Sequence, residues 1–310
     1  MIIQLMQTKL NGVATLAQLG VICVEGPDAA NFLHKQLTQD FEQLGLSEAR
    51  LAAHCSAKGR MQASFYGFKR SHTEILLVCR RDILSDAVKG LSRFILRAKV
   101  KLVDASDTFA LYGLAGTAVE SIAGTVRTPW SKIDIGEASV VFLYPADGVQ
   151  RALWLTPVGQ AAPAGAAVSS DLWAWGEVRS GIAMISAPIM EAFVPQMLNY
   201  ESIGGVNFKK GCYPGQEVVA RSQFRGILKR RAFAAHAEVA MKAGDELFHD
   251  ADPGQPCGLV AQAAEAPTAG FDAIVSMQIA ATESGGLHLG SVDGPKLVVS
   301  PPPYPLLADI

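Results

Sequence analysis

The sequence predicts an α+β fold, in which helices pack on largely antiparallel sheets. Between residues 21 and 103 the patterns follow the order strand, helix, three strands, helix, strand, without the regular alternation that parallel sheets require. After Arg230, short strand-like runs separated by Gly, Pro and Asp recur at the spacing of a small β-barrel or sandwich. A chain of 310 residues is too long for one ordinary core. We therefore expect two or three domains, with the main boundary near Lys229, between residues 1–228 and 229–310.

The first predicted strand is the apolar run from Val21 to Val24, which Gly26-Pro27 ends. Pro27 suits the first position of the amphipathic helix that follows, because its φ is fixed and it lacks an N–H. Lys58-Gly59 supplies a turn between two later strands. The other elements predicted in this part are strands at residues 50–56, 61–68, 74–79 and 99–103 and a helix at residues 82–94.

Further strands are predicted at residues 109–114, 139–143 and 152–155. The stretch 157–170, rich in Ala, Gly and Pro, predicts a loop or linker, and a helix follows from Asp171 to about Gly181. Pro301-Pro302-Pro303 is expected to end the regular structure and to leave a tail.

Composition excludes several classes of protein. The net charge of −2 gives no overall field that would recruit nucleic acid, and no apolar run approaches the ~20 residues that span a bilayer. The start of the chain lacks the pattern of a signal peptide, so a cytoplasmic location is expected. Neither G-x-G-x-x-G nor G-x-x-x-x-G-K-[ST] occurs, so we expect no Rossmann or P-loop nucleotide site.

The cysteines are expected to be reduced thiols, because they are odd in number, scattered and without a C-x-x-C pair. Cys23, Cys55 and Cys79 lie in apolar or strand-like runs, where a buried, inert thiol is expected. The sequence predicts no resident metal site, because its cysteines and six histidines lack the grouped spacing of metal ligands. The five cysteines are Cys23, Cys55, Cys79, Cys212 and Cys257.

The segment from Lys209 to Glu217 carries the strongest signal for chemistry. Pro214-Gly215 predicts a turn, after which Gln216-Glu217 opens a helix. Cys212 would therefore lie just ahead of a helix N-terminus and beside two lysines, which both favour a thiolate. We accordingly predict that Cys212 is a functional thiol whose pKa is lowered by Lys210.

The same part of the chain concentrates positive charge, with seven basic residues against one acid, Glu217. Such a concentration, next to free helix N–H groups, predicts a local site for carboxylates or phosphates. The alternatives are a solvated basic face on a connector and, for Cys212 alone, a plain packed thiol. The basic residues are Lys209, Lys210, Arg221, Arg225, Lys229, Arg230 and Arg231.

Residues 210–221, Lys-Gly-Cys-Tyr-Pro-Gly-Gln-Glu-Val-Val-Ala-Arg, resemble the signature of the YgfZ family. These are folate-binding proteins akin to the aminomethyltransferase (T-protein) of the glycine cleavage system and related to mitochondrial iron–sulfur assembly factors. The resemblance extends over most of residues 20–231 and more loosely over the barrel. It is carried further by residues 26–33 with Gln36, Thr38 and Asp40, by residues 57–61, and by residues 179–182, 193–196 and 204–208.

The resemblance implies a ring of three subdomains, two α+β units with antiparallel sheets and a C-terminal small β-barrel, around a folate-sized hole. It implies tetrahydrofolate or a derivative, with or without a polyglutamate tail, as cofactor. Trp173 stands where the family has a tryptophan near the folate, and a flat indole suits stacking on a pterin. The alternative for Trp173 is core packing of its helix together with Trp175. The residues expected to bind the cofactor are Trp173, Tyr213, Gln196 and Arg221.

The chain departs from the aminomethyltransferases at one important place. These enzymes carry an acidic pair after the second strand turn, where this sequence has Gln62 and Ala63. Neither residue can hold negative charge or accept a proton at neutral pH, so glycine-cleavage chemistry in its usual form is not expected.

Two functions remain. The first is a folate-binding accessory protein for iron–sulfur cluster assembly or repair, which affects cluster-dependent tRNA modification indirectly and uses Cys212 as a redox or cluster-handling thiol. Its partners would be iron–sulfur client or assembly proteins. The second is a folate-dependent one-carbon transferase of unknown substrate. Direct tRNA binding is a weaker hypothesis, because the basic segment is short and lacks interleaved aromatics.

Overall fold

The computed structural model describes residues 9–124, 127–224 and 228–307, and the statements below concern these residues. Its strands form two five-stranded antiparallel sheets and one closed six-stranded barrel. The strands are β1 (Gly12–Thr15), β2 (Leu19–Glu25), β3 (Ala49–Cys55), β4 (Met61–Lys69), β5 (Glu74–Arg80), β6 (Lys101–Asp104), β7 (Phe109–Ala115), β8 (Lys132–Ile135), β9 (Ala138–Ala146), β10 (Val149–Pro157), β11 (Arg230–Ala237), β12 (Glu246–His249), β13 (Gly258–Glu265), β14 (Phe271–Gln278), β15 (Leu287–Leu289) and β16 (Lys296–Ser300). The α-helices are α1 (Ala29–Gln36), α2 (Leu84–Ser92), α3 (Thr117–Ala123), α4 (Ser170–Arg179) and α5 (Gln216–Phe224).

The first sheet has the strand order β3-β4-β5-β2-β6 and contains all five strands predicted up to residue 104. Its central strands are buried almost throughout, because they carry apolar residues on both faces. Helix α1 packs on this sheet through Phe32 and Leu33, and α2 does so through Leu91. Pro27 lies two residues before α1 rather than at its first position, and Asp28 occupies the N-cap position without a side-chain capping hydrogen bond.

The second sheet has the order β1-β7-β10-β9-β8, so the chain begins in this sheet, builds the first one, and then returns. Strand β1 pairs antiparallel with β7 through Gly12 and Ala115. The sequence predicted β7, β9, β10 and α4 but not the short β1, β8 and α3. Ser169 caps α4 by accepting a hydrogen bond from the N–H of Leu172.

The barrel has the order β11-β14-β13-β12-β15-β16, and β16 closes it by pairing with β11 at Val299 and Ala235. It has its own small core, which includes Leu247, Val260 and Val275. The predicted α+β fold with two antiparallel sheets and a C-terminal barrel is therefore confirmed. No helix in the described part of the chain is long and apolar enough to cross a membrane.

The residues after β16 form an ordered tail that packs back across the molecule. The hydroxyl of Tyr304 donates a hydrogen bond to the carbonyl of Gly181 (3.0 Å) and accepts one from the Asn199 amide (3.3 Å). Asn199 in turn exchanges hydrogen bonds with the backbone of Ala232 in β11. The tail thus links Gly181 just after α4, Asn199 and the barrel through hydrogen bonds.

Candidate functional site

The segment that contains Cys212 is held at both ends by its own turns. The Asn207 side-chain oxygen accepts the backbone N–H groups of Lys209 (2.8 Å) and Lys210 (3.1 Å), which fixes the chain before the cysteine. Gly215 has a φ of +80°, and α5 begins at the next residue, Gln216. The predicted turn followed by a helix start is confirmed.

This turn docks against the β3–β4 turn of the first sheet. A Cβ atom on Gly215 would lie 2.4 Å from the carbonyl oxygen of Ser56 and 2.8 Å from the Cα of Gly59. Gly59 has a φ of +72°, and a Cβ there would lie 2.9 Å from the Cβ of Val218 in α5. Only glycine satisfies both the backbone conformation and the close approach at these two positions.

Lys210 points into the protein rather than into solvent. Its ammonium group donates to the carbonyls of Leu37 (3.0 Å) and Gly211 (3.2 Å) and lies 4.5 Å from the ring centroid of Tyr213. Burial lowers the pKa of Lys210 to about 8, opposed by the nearby charges of Asp40, Cys212 and Glu42. Lys210 and Cys212 therefore lie close enough to interact electrostatically.

Cys212 is exposed, whereas the other four cysteines are buried or half-buried. Burial raises the pKa of Cys23 to about 11 and that of Cys55 and Cys79 to about 12, and it also raises the pKa of Cys257. The alternative of Cys212 as a packed thiol is wrong. Cys55 and Cys79 are buried as predicted, whereas Cys23 is only half-buried.

A histidine and an aspartate, which the sequence did not single out as site residues, lie beside this segment. The Nδ1 atom of His34 is 3.0 Å from the Asp40 carboxylate. Its Nε2 atom faces Gly211, where an added Cβ would lie 3.4 Å away. Partial burial acts to raise the pKa of Asp40, but the Gln43 backbone N–H and His34 hold it below its ordinary value.

The basic residues of this region do not all face a common ligand. Arg231 forms a buried ion pair with Glu201 at 2.7 Å, and Arg221 pairs with Glu217 at 2.6 Å on the exposed face of α5. Lys210 has the internal partners described above. Three of the seven positive charges thus have local partners, which weakens the predicted anion site. Arg225 lies outside the described residues.

A second cluster lies around Trp173, where the two sheets and the barrel meet. The indole Nε1–H of Trp173 donates to Glu177 (3.1 Å), and the guanidinium carbon of Arg151 lies 4.6 Å from the indole ring centroid. A Cβ on Gly113 would lie 2.6 Å from three ring atoms, so the indole lies directly against this glycine. Trp173 is 1% exposed, and its ring is thus part of the interior.

The same cluster contains buried polar groups without partners. Arg151 in β10 donates from Nη1 to the carbonyl of Gly176, but its buried Nε makes no hydrogen bond with the described residues. The buried Nε of Arg80 in β5 likewise makes no hydrogen bond with the described residues. Burial and the Glu177 carboxylate raise the pKa of Tyr66, whereas Arg151 and Arg80 act to lower it, which places all four groups within electrostatic reach. Unpaired buried donors of this kind mark a place where a polar ligand would compensate them.

A row of aromatic rings leads from this cluster to the tail. The ring centroids of Tyr66 and Trp130 are 5.5 Å apart, those of Trp130 and Tyr144 are 5.7 Å apart, and those of Tyr144 and Tyr304 are 5.8 Å apart. Trp130 and Tyr144 are half-buried. These rings would suit a flat heterocycle that stacks between the two sheets.

The structure separates the residues predicted to bind the cofactor. Gln196 is fully buried, and its amide donates to the carbonyl of Val219 in α5 (2.7 Å), while Tyr213 is buried beneath Lys210. Both residues therefore hold the cysteine segment in place. Arg221 is exposed on α5, and Trp173 belongs to the interior cluster.

The position of the missing acidic pair has an unexpected neighbour. The Gln62 amide donates to the carboxylate of Glu191 (2.7 Å), whereas Ala63 is fully buried in β4. Two backbone hydrogen bonds, from Glu191 to Met61 and from Met61 to Phe193, fix this contact. A carboxylate thus stands beside Gln62, although it comes from another part of the chain.

This architecture has the fold of the glycine-cleavage aminomethyltransferases. It matches the crystal structure of aminomethyltransferase T from Bartonella henselae with a TM-score of 0.69 and 16% identity, covering 99% of this chain and 89% of that one. No protein-family model matches the chain.

Two curated relatives are each named tRNA-modifying protein YgfZ. The protein of Enterobacter sp. (strain 638) is 30% identical over 236 residues, which are 72% of each chain. The protein of Photorhabdus laumondii is 30% identical over 245 residues, which are 75% of this chain and 74% of that one. The chain belongs to the YgfZ family, and the resemblance seen in the sequence is confirmed.

Proposed function

We propose that the chain is a cytoplasmic tetrahydrofolate-binding accessory protein that supports the assembly or repair of iron–sulfur clusters. Through its client proteins it would support cluster-dependent tRNA modification, in keeping with relatives named tRNA-modifying proteins. Its partners would be folate and iron–sulfur client or assembly proteins, with no direct contact to nucleic acid or membrane.

The unpartnered Nε–H of buried Arg151 is the observation that carries the folate half of the proposal. The pyrimidinone ring of a reduced pterin is flat and offers both hydrogen-bond donors and a carbonyl acceptor. Arg151 and Arg80 would donate to the acceptor, and Glu177 would accept from the donors. Trp130 and Tyr144 would stack on the ring, so the residues present fit the group. Tetrahydrofolate supplies or accepts a one-carbon unit when it is bound.

Cys212 carries the other half of the proposal, because it is the exposed thiol of the chain and lies on a rigidly docked segment. Lys210 anchors that segment to the end of α1 and places a positive charge close to the thiol. The proposed role of Cys212 is that of a reactive thiol that acts on client proteins.

Calorimetric and fluorescence titration with tetrahydrofolate would test the folate site. We expect binding by the wild-type protein and about tenfold weaker binding by Glu177→Gln, because an ionised acceptor is lost. Quenching of tryptophan emission should fall in Trp173→Phe and persist in Trp154→Phe, a matched change on the buried side of β10. Absence of binding by the wild-type protein at millimolar tetrahydrofolate would reject the folate role.

Complementation of a deletion strain would test the thiol. The wild-type chain should restore the activity of a cluster-dependent tRNA-modifying enzyme, whereas Cys212→Ala should not. Cys23→Ala is the control, because Cys23 is half-buried in β2 and its thiol contacts Glu74 in β5. If Cys212→Ala restored activity as well as the wild type, the thiol would have no role in this function.

A second candidate function is folate-dependent one-carbon transfer, and the contact between Glu191 and Gln62 favours it. Glu191 would supply, from another segment, the carboxylate that the strand turn lacks. Turnover of methylene-tetrahydrofolate with a panel of amine donors should then occur and should fall at least about tenfold in Glu191→Gln. No turnover across a broad panel would remove this candidate.

A further inference from the structure

The pair formed by His34 and Asp40 has the geometry of an oriented base. His34 lies in the last turn of α1 and is 9% exposed, and its Nδ1 atom is 3.0 Å from Asp40 Oδ1. The same carboxylate oxygen accepts the backbone N–H of Gln43 at 3.0 Å, which fixes its position. Because a carboxylate accepts hydrogen bonds, this contact keeps the proton on Nδ1 and leaves the lone pair on Nε2.

The lone pair of His34 is directed at the Cys212 segment. Nε2 makes no hydrogen bond with the described residues, and it faces Gly211, the residue before the cysteine, within van der Waals distance of an added Cβ. Gly211 has no side chain, so the edge of the imidazole lies against the backbone next to the cysteine.

The charges around His34 come from two parts of the chain. Asp40 and Glu42 follow α1, and the Glu42 carboxylate is 3.8 Å from Nδ1. Lys210 approaches from the cysteine segment and interacts with Asp40, Glu42 and Cys212. The two carboxylates carry charge opposite to that of an imidazolium at His34, and the Lys210 ammonium carries charge opposite to that of a thiolate at Cys212.

We propose that His34 is the base that takes the proton of Cys212 and that Asp40 is the positioning residue that orients it. This inference rests on the reactive role proposed for Cys212. In the step the S–H bond breaks, its electron pair stays on sulfur, and the proton binds to Nε2. The products are a thiolate, beside the Lys210 ammonium, and an imidazolium held by Asp40. No oxidant or cofactor takes part.

Alkylation by iodoacetamide, followed by intact mass as a function of pH, tests this step in the purified full-length protein. Cys212 is the exposed thiol, so the first modification reports on it, and Cys212→Ala provides the blank. We expect His34→Gln to slow alkylation at pH 7 about tenfold, because the base that takes the thiol proton is lost. Asp40→Asn should act in the same direction with a smaller effect.

His72→Gln is the matched control, since His72 is exposed in the turn between β4 and β5 and should leave the profile unchanged. Circular dichroism and thermal melting would show that each variant is folded, and Asp40→Asn covers the case in which His34→Gln does not fold. Profiles of both variants that coincide with the wild type would overturn the inference. This result is independent of complementation by Cys212→Ala, so failure of the base and failure of the proposed function are distinguishable.

Discussion

Gly59 and Gly215 approach so closely that a Cβ on Gly215 would lie 2.8 Å from the Cα of Gly59. Through this contact the β3–β4 turn of the first sheet fixes the start of α5 and thereby the position of Cys212. The exposed thiol thus lies on a segment that is anchored to the first sheet, although this segment has no regular structure of its own.

The first prediction concerns this contact. Gly215→Ala should lower the free energy of unfolding by about 3 kcal/mol, because it combines a strained φ of +80° with overlap of the Ser56 carbonyl. Gly148 has the same φ of +80° but has no atom within 4 Å of its added Cβ. Gly148→Ala should therefore cost only about 1 kcal/mol. Urea unfolding of both variants measures the difference, and equal losses would show that the contact is not tight.

The sequence predicted each of these two turns, but it could not predict that they touch. Lys58-Gly59 and Pro214-Gly215 are local signals for turns. The contact between the two turns depends on how the first sheet packs against the segment that carries Cys212. For the same reason the strands of the first sheet were predicted within one or two residues, while the entry of β1 into the second sheet was not. Pairing between distant segments leaves no local pattern.

The site was predictable in the same uneven way. The position of the thiol ahead of a helix followed from residues 210–217, but its exposure and the contact of Lys210 with Leu37 at the end of α1 did not. Glu177 could have been found, since it stands four residues after Trp173 on one helix face. Arg151 could not, because its contact with Trp173 depends on the packing of α4 against β10.

The second prediction compares two ion pairs of the basic segment. Glu201 and Arg231 are almost fully buried at 2.7 Å, whereas the side chains of Glu217 and Arg221 are 83% and 68% exposed. Glu201→Gln should lower the free energy of unfolding by about 3 kcal/mol, because it breaks a buried ion pair. Glu217→Gln should change it by less than about 0.5 kcal/mol. Comparable effects in chemical unfolding would contradict the assigned burial.

The third prediction concerns the number of reactive cysteines. Native protein treated with iodoacetamide near pH 7.5 should gain one adduct, at Cys212, because burial raises the pKa of the other thiols. All five cysteines should react in denaturant. Peptide mapping identifies the site, and Cys212→Ala should remain unmodified in its native state. Early labelling of Cys23, which is half-buried, would argue against the packing of β2 against β5 described here.

The last prediction concerns pH and the buried His54 in β3. Burial lowers the pKa of His54 to about 4 from its ordinary value of 6.5, and the ring packs edge-on against Phe94. Since the unfolded chain binds this proton more readily, the stabilising contribution is complete above pH 6.5 and is lost as the pH falls toward 4. The loss over this interval should be about 3 kcal/mol in the free energy of unfolding.

His54→Leu removes the titrating group, so its stability should fall less steeply between pH 6.5 and 4 than that of the wild type. Exposed His72 is the control, and His72→Gln should keep the wild-type slope. Urea unfolding at half-unit pH steps gives the three curves. Parallel curves for His54→Leu and the wild type would mean that His54 is protonated in the native protein, which its burial within the first sheet does not allow.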